Sequence, residues 1–429
     1  MNSVLVVSYF YPPFQSVGGL RVSKLTRHLP RYGWRPIVLT VANDHLPRTL
    51  PTEVPEADIH RTRALDVNLI PKLALGRKRV ASKGFTVGGQ SPVSRMAARL
   101  GKVYRQLVNF PDGQIGWYPF AVREGLRLAT REKPSVIYSS CLPATSHLIA
   151  SRIARETGIP WVAEFRDPWT DNPGHVRRGV LGALERQLED RTMRNAVHMV
   201  TVTPTLVTQL GARFNRPVSL VTNGFDPEDY PTDVLPTREF TMTFTGMVYP
   251  DAHDIRPLCQ ALAQLRASGE LIPGFRLRLA GRATDALFRQ ATESGMQDLV
   301  ELIPQVSHAE ALRLQMESTV LLLLLWKDPG APAWYPAKMF EYFGSGRPIL
   351  AVGAKVNDAA GLIAELGAGV AVDEVQETVQ VLRQWFKKFQ DGGPSALSVA
   401  RGAAERFQRV RVVSELARVL DTVRSGAAV

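Results

Sequence analysis

The feature that most constrains this chain is a pattern that runs through it twice: a short β-branched or aliphatic run, a stretch of helical spacing, then another run. Val4–Ser8 reads as a strand, its loop reaches Gly18-Gly19, and a helix from Leu20 carries Leu25 and Leu29 on one side before Gly33 ends it. Pro36–Thr40, Val136–Ser140, Pro160–Phe165 and His198–Val202 follow as strands, with a helix over 144–157. The arrangement then starts again, with strands expected at Val218–Thr222, Phe240–Thr245, Arg276–Ala280, Leu299–Leu302, Val320–Leu325 and Pro348–Val352. Helices over 255–266 and 308–316 lie between them. Strand–helix–strand alternation builds parallel sheets with crossover helices. A chain of 429 residues is too long for one ordinary core. The pattern therefore predicts an α/β protein of two doubly wound parallel-sheet domains facing a central cleft, where ligands of such sheets bind.

The boundary is expected near Phe214–Val218, giving a first domain of residues 1–215 and a second of 216–402. Two stretches stand apart. Residues 43–112 show no clean α/β alternation and contain the glycine-rich run Gly84–Gln90, so they read as an insertion with a mobile loop. The tail, 403–429, is helical in pattern, with Phe407, Val410, Val413, Leu416 and Leu420 near one stripe.

Charge and cysteine usage narrow the classes. Cys141 and Cys259 are far apart and lack metal-ligand spacing, which argues against a disulfide framework or zinc site and fits a reducing, cytoplasmic compartment. The opening residues lack a basic leader, and the longest other apolar run, Val320–Trp326, is far short of a bilayer's thickness. No membrane span is expected. The net charge of +12 is concentrated: the basic residues from Arg61 to Arg105 face a single carboxylate, Asp66. Such a stretch suits an anionic lipid surface or polyanionic substrate, or is a plain solvated face. It lacks interleaved aromatics and a known binding module, so nucleic acid is not expected.

Four motifs carry candidate chemistry. Gly18-Gly19, between a strand end and a helix start, lets backbone amides approach an anion closely; a tight turn is the plainer use of such a pair. Arg166-Asp167 follows directly on the strand that ends at Phe165, where Arg offers a planar fork to phosphate or hydroxyls and Asp accepts from hydroxyls; a structural pair is the alternative. Asn223-Gly224, Gly246 and Gly281-Arg282 are strand-end or turn residues that together line one edge of the second sheet. The richest motif runs from Trp334 to Leu350, where Lys338 and Glu341 are three apart and share a helix face. Lys338 is suited to neutralise a diphosphate, and the carboxylate of Glu341 to accept from two ribose hydroxyls; a surface ion pair is the simpler reading.

In the order and spacing of Tyr11–Thr40, Ile159–Trp169, Val200–Pro204, Asn223–Tyr230, Phe244–Tyr249, Leu279–Arg282 and Pro336–Leu350, the chain resembles the family 4 glycosyltransferases, a retaining GT-B group with Rossmann-like domains. The resemblance covers nearly the whole chain. It implies a nucleotide-sugar co-substrate, such as a UDP- or GDP-sugar, held mostly by the second domain. It also implies an acceptor on the first domain, no metal and no further cofactor, and a terminal helix that packs back on the first domain. Carried over, Gly18 and Gly19 match the loop against the donor diphosphate, and Glu341 the second glutamate of the family's pair. Asn223, Gly246, Arg282 and Lys338 complete the expected donor set, with Arg166, Asp167 and Lys338 as expected catalytic residues.

Three departures stand out. Ala333 occupies the position of the first glutamate, eight residues before Glu341, and Arg166 stands where many members have histidine. The usual Arg and Lys are missing from Gly246–Pro250, which leaves Arg282 and Lys338 to supply the counter-charge. The function implied is retaining hexosyl transfer to a lipid-linked or growing saccharide in envelope or exopolysaccharide synthesis. Peripheral contact with the inner membrane face would run through 61–105. Two other readings stay open: a catalytically silent nucleotide-sugar-binding partner of another transferase, and a GT-B nucleotide-sugar epimerase.

Overall fold

Both expected sheets are present, and every strand pairing in them is parallel. The structure, a computed structural model, describes residues 1–14, 17–42, 50–67, 107–172, 174, 177–326, 334–399 and 402–427. The chain divides into two units, one of residues 1–202, 207–221 and 413–429, the other of 203–206 and 222–412.

In the first unit β1 (Asn2–Val7), β2 (Trp34–Val41), β3 (Ile59–Thr62), β4 (Val136–Cys141), β5 (Trp161–Phe165), β6 (Ala196–Thr201) and β7 (Val218–Leu220) lie in the order 3-2-1-4-5-6-7. The crossovers include α1 (Val17–His28), α2 (Tyr118–Glu132), α3 (Thr145–Thr157), α4 (Gly179–Met193) and α5 (Pro204–Phe214). Helices cover both faces of such a sheet, so its central strands read as continuous apolar runs; Val4, Leu5, Val6 and Val7 are all buried.

The second unit repeats the plan with β8 (Thr241–Met247), β9 (Arg276–Arg282), β10 (Val300–Ile303), β11 (Val320–Leu324), β12 (Ile349–Val352) and β13 (Gly369–Val372), ordered 10-9-8-11-12-13. Its helices include α6 (Arg256–Ala267), α7 (Asp285–Glu293), α8 (His308–Glu317), α9 (Ala337–Ser345), α10 (Asp358–Glu365) and α11 (Val375–Gly392). Successive residues of β11 serve opposite layers: Leu322 and Leu324 join a core with Phe240, Leu258 and Phe386, while Leu321 and Leu323 pack with Met339, Phe340 and Ile363. The last helix, α12 (Arg409–Ser425), buries Val413, Leu416 and Leu420, and residues from 413 onward belong to the first unit. Phe407, expected on the same stripe, packs instead in the second unit's core beside Phe340 and Phe343.

The strand order reverses between β1 and β4 in one sheet and between β8 and β11 in the other. Ligands of open parallel sheets bind beyond the carboxyl ends of strands at such points.

Three edge strands differ from expectation. Val218–Leu220, expected to open the second sheet, is the last strand of the first, with Met199 paired to Val218. The 43–112 stretch supplies a real strand, β3, paired with β2. Strand β13 was not anticipated, and its Gly369 is packed so that an added Cβ would lie 2.0 Å from the Ile349 carbonyl oxygen. The run Gly84–Gln90, the basic residues from Lys72 to Arg105, and Ala333 lie outside the described residues. Among the described residues, no helix is long and apolar enough to cross a membrane.

Candidate functional site

In the second unit the site begins where β8 and β9 end. Gly246 and Gly281 are register partners, and a Cβ on Gly281 would lie 1.8 Å from the Gly246 carbonyl oxygen, so the strands close to this distance only with glycine there. Gly246 also keeps its side open to α9: a Cβ there would sit 3.8 Å from Cγ of Lys338. Helix α9 is anchored from below by Tyr342, whose hydroxyl accepts from Thr245 N at 3.0 Å and donates to the Leu322 carbonyl at 3.3 Å. From the side, the Tyr230 hydroxyl donates to the Glu341 carbonyl at 2.7 Å. These bonds fix the azimuth of the helix and with it the Lys338–Glu341 face.

On that face Lys338 Nζ lies 2.8 Å from Glu341 Oε2. Helix α8 contributes two more partners: His308 Nε2 at 3.4 Å from Glu341 Oε1, and Gln315 Nε2, which donates to Glu341 Oε2 at 3.4 Å and to Thr245 Oγ1 at 3.0 Å. His308 and Gln315 are two turns apart and so share a face, and α8 starts cleanly because Ser307 accepts from Glu310 N. Burial alone would push the Glu341 carboxyl up, but the Lys338 ammonium and His308 hold it down at about 2. The result is a fixed, ionised carboxylate beside an ammonium with further donors to spare, next to a strand end without side chains. That arrangement suits a ligand carrying both hydroxyls and negative charge.

In the first unit two of the sequence motifs meet. Arg166, just beyond β5, donates from Nε to the Cys141 carbonyl at 3.0 Å and from Nη2 to the Leu142 carbonyl at 2.7 Å. Its guanidinium crosses the start of α1 so closely that a Cβ on Gly18 would lie 2.1 Å from Nη1. Below it, buried Glu164 accepts from Arg21 Nε at 3.0 Å and Nη2 at 2.8 Å, and the same Nη2 donates to the Val221 carbonyl at 2.7 Å. Burial would raise the Glu164 carboxyl, but Arg21 holds it below the ordinary value. Asp167 differs: burial raises its carboxyl, with Arg166 opposing. Asp112 accepts from both N and Oγ1 of Thr145, at 2.8 and 2.7 Å, and so caps α3 near the end of β4.

The expected site residues thus fall into two sets. Gly18, Gly19, Arg166 and Asp167 are in the first unit; Gly246, Lys338 and Glu341 are brought together in the second. Arg282 ends β9 with an exposed side chain, beside Met247 in register. Asn223 leads into the turn where Phe225 N donates to the Phe407 carbonyl and Arg409 N to the Phe225 carbonyl. Of the basic stretch, Arg61 pairs with Glu56, and Arg63 lies 4.6 Å from the ring centroid of Phe120. Sequence reasoning missed His308, Gln315 and the Arg21–Glu164 pair. The histidine's place in the first turn of a predicted helix was visible; what it would face was not.

Comparison with known proteins agrees with this architecture. The glycosyl transferase 4-like domain model matches residues 18–224. Sucrose-phosphate synthase of Thermosynechococcus elongatus superposes with a TM-score of 0.62 at 13% identity, covering 100% of both chains. HepE of Anabaena, solved with UDP and glucose, gives 0.62 at 15% identity, covering 98% of this chain and 100% of its own. A glycosyltransferase of Rickettsia africae gives 0.63 at 11% identity over 98% of each. Identities this low speak to the fold. No curated protein matches the chain in sequence. The chain is thus similar to the glycosyl transferase 4-like domain over residues 18–224, and as a whole it has the two-sheet GT-B fold of these solved structures.

Proposed function

We propose that the chain transfers a hexose from a nucleotide-sugar donor, bound on the second unit, to a saccharide acceptor bound on the first. The observation that carries this is the Lys338–Glu341 pair, held beside Gly246 at the point where the second sheet reverses its order. The HepE structures with UDP and with UDP-glucose support a donor of that class.

In this reading Glu341 accepts from the ribose hydroxyls, while Lys338, Arg282 and the strand-end glycines face the diphosphate. The bond from the anomeric carbon to the phosphate oxygen breaks as the acceptor oxygen bonds to that carbon. The departing phosphate takes the acceptor's proton on the same face, which retains the configuration. Lys338 then stabilises the charge that develops on the leaving group, an electrostatic contribution that needs no metal. Arg166, with Asp167 beside it and Gly18-Gly19 beneath, orients the reacting groups from the first unit. The acceptor we favour is a lipid-linked or growing saccharide of an envelope or exopolysaccharide. The basic stretch 61–105 would dock on the anionic inner face of the cell membrane.

Calorimetric titration with UDP-, GDP-, TDP- and ADP-sugars tests the donor site. Saturable binding of one of them, weakened in Glu341→Ala, is the expected result; an unchanged donor affinity in that variant sinks the ribose role. Vesicle sedimentation with phosphatidylglycerol tests the docking, which should be lost on replacing Lys72, Arg77, Lys78, Arg79 and Lys83 by Ala.

A further inference from the structure

Beside the Lys338–Glu341 pair stands a group of aromatic rings that the function so far leaves unused. Tyr249 follows the end of β8 and Trp326 the end of β11, the two strands that flank the sheet's reversal, and Trp334 precedes α9. The ring centroids of Trp326 and Trp334 are 4.2 Å apart, and Tyr249 meets Trp326 edge-on at 5.9 Å. His253 backs Tyr249 at 5.5 Å, and its Nδ1 accepts from Tyr249 N at 3.3 Å.

These rings are not core. Both tryptophans are half-buried, Tyr249 is 49% exposed, and none of the three belongs to either apolar cluster that holds the unit together. An aromatic group at the carboxyl ends of the two central strands is placed where ligands of such sheets bind. Its chemistry complements its neighbours. The carboxylate of Glu341 is engaged by Lys338, His308 and Gln315, and the strand-end residues Gly246, Met247, Val248 and Leu325 bring no further carboxylate. A face of C–H groups would find several rings here.

We propose that Tyr249, Trp326 and Trp334 form a stacking platform for the sugar ring of the donor, and that this ring is a pyranose presenting a C–H face. The proposal rests on the reading of the second unit as the donor side.

The test separates sugar from nucleotide. The protein is titrated calorimetrically with UDP, UDP-glucose, GDP and GDP-mannose, as are Trp326→Ala, Trp334→Ala and the ring-retaining Trp334→Phe, each checked for an unaltered melting temperature. For the nucleotide that binds, its sugar form should bind more tightly, and each alanine variant should lose on the order of tenfold of that advantage while binding the bare diphosphate as before. Trp334→Phe should keep most of it. An advantage that survives both alanine substitutions overturns the platform and leaves the donor reading intact. Equal losses for bare and sugar-bearing nucleotide overturn it too, and assign the rings to the base. If the unsubstituted protein binds none of these four ligands, nor TDP- or ADP-glucose, the donor reading falls and the platform with it.

Discussion

The guanidinium of Arg166 occupies the space that a side chain at residue 18 would need: a Cβ on Gly18 would lie 2.1 Å from Nη1. Gly18→Ala should therefore displace Arg166 from the Cys141 and Leu142 carbonyls. The obstructing atoms are the far end of a flexible side chain, so stability should fall by less than about 1 kcal/mol. Turnover should fall at least as far as in Arg166→Ala, and the double variant should be no worse than either single one. Additive losses in kcat would show that the two residues act separately.

Glu341 sets an acid limit. Burial would raise its carboxyl, but Lys338 and His308 depress it to about 2 from the ordinary 4.5, so its ionised form stabilises the fold fully above pH 4.5, and that contribution is lost as pH falls toward 2. The contribution is at most about 3 kcal/mol. In urea unfolding, the gap between the natural protein and Glu341→Gln should be widest near neutrality and close across that window. Lys338→Met should move the closing point to higher pH, because it removes the cation that holds the carboxyl down.

Gly281→Ala should destabilise more than any other single methyl at this site. The residue has φ of 137° and its Cβ would meet backbone, the Gly246 carbonyl oxygen, rather than a movable side chain. A loss of about 3 kcal/mol is expected, read as a lower denaturant midpoint with an unchanged slope. A variant as stable as the natural protein would mean that the strand ends can separate at little cost.

Arg21 and Glu164 are each buried, and Arg21 donates twice to Glu164 Oε1. Removing Glu164 takes away the buried carboxylate that the Arg21 guanidinium pairs with, so Glu164→Ala should cost about 3–5 kcal/mol. Replacing both, as Arg21→Met with Glu164→Leu, should recover much of that loss. Equal instability of single and double variants would show that the arginine's bond to the Val221 carbonyl matters more than the ion pair.

What the sequence disclosed follows from how local each signal is. The central strands were legible because burial on both faces makes them uninterrupted apolar runs, as in Val4–Val7 and Val320–Leu324. The strands missed or misplaced, β3, β7 and β13, all lie at sheet edges, where short length and partial exposure dilute the pattern. Lys338 and Glu341 were legible as a pair because helical spacing alone sets them on one face. His308 and Gln315 reach the same carboxylate from a different helix, and no local spacing encodes that approach. Likewise Gly18 and Arg166 were each singled out, but only the folded sheet reveals that one leaves room for the other.

Because residues 413–429 belong with the first unit, residues 222–412 of the second are made before this strip of the first. During synthesis the second unit can finish folding while the first, although translated earlier, still lacks Val413, Leu416 and Leu420 from its interior. Truncation after Val412 would therefore uncover the first unit where His198, Ser219 and Leu220 lie against Glu415, Arg418 and Val419 of α12. Proteolysis would then strike this earlier-made unit around β6 and β7 while the later-made one stayed intact.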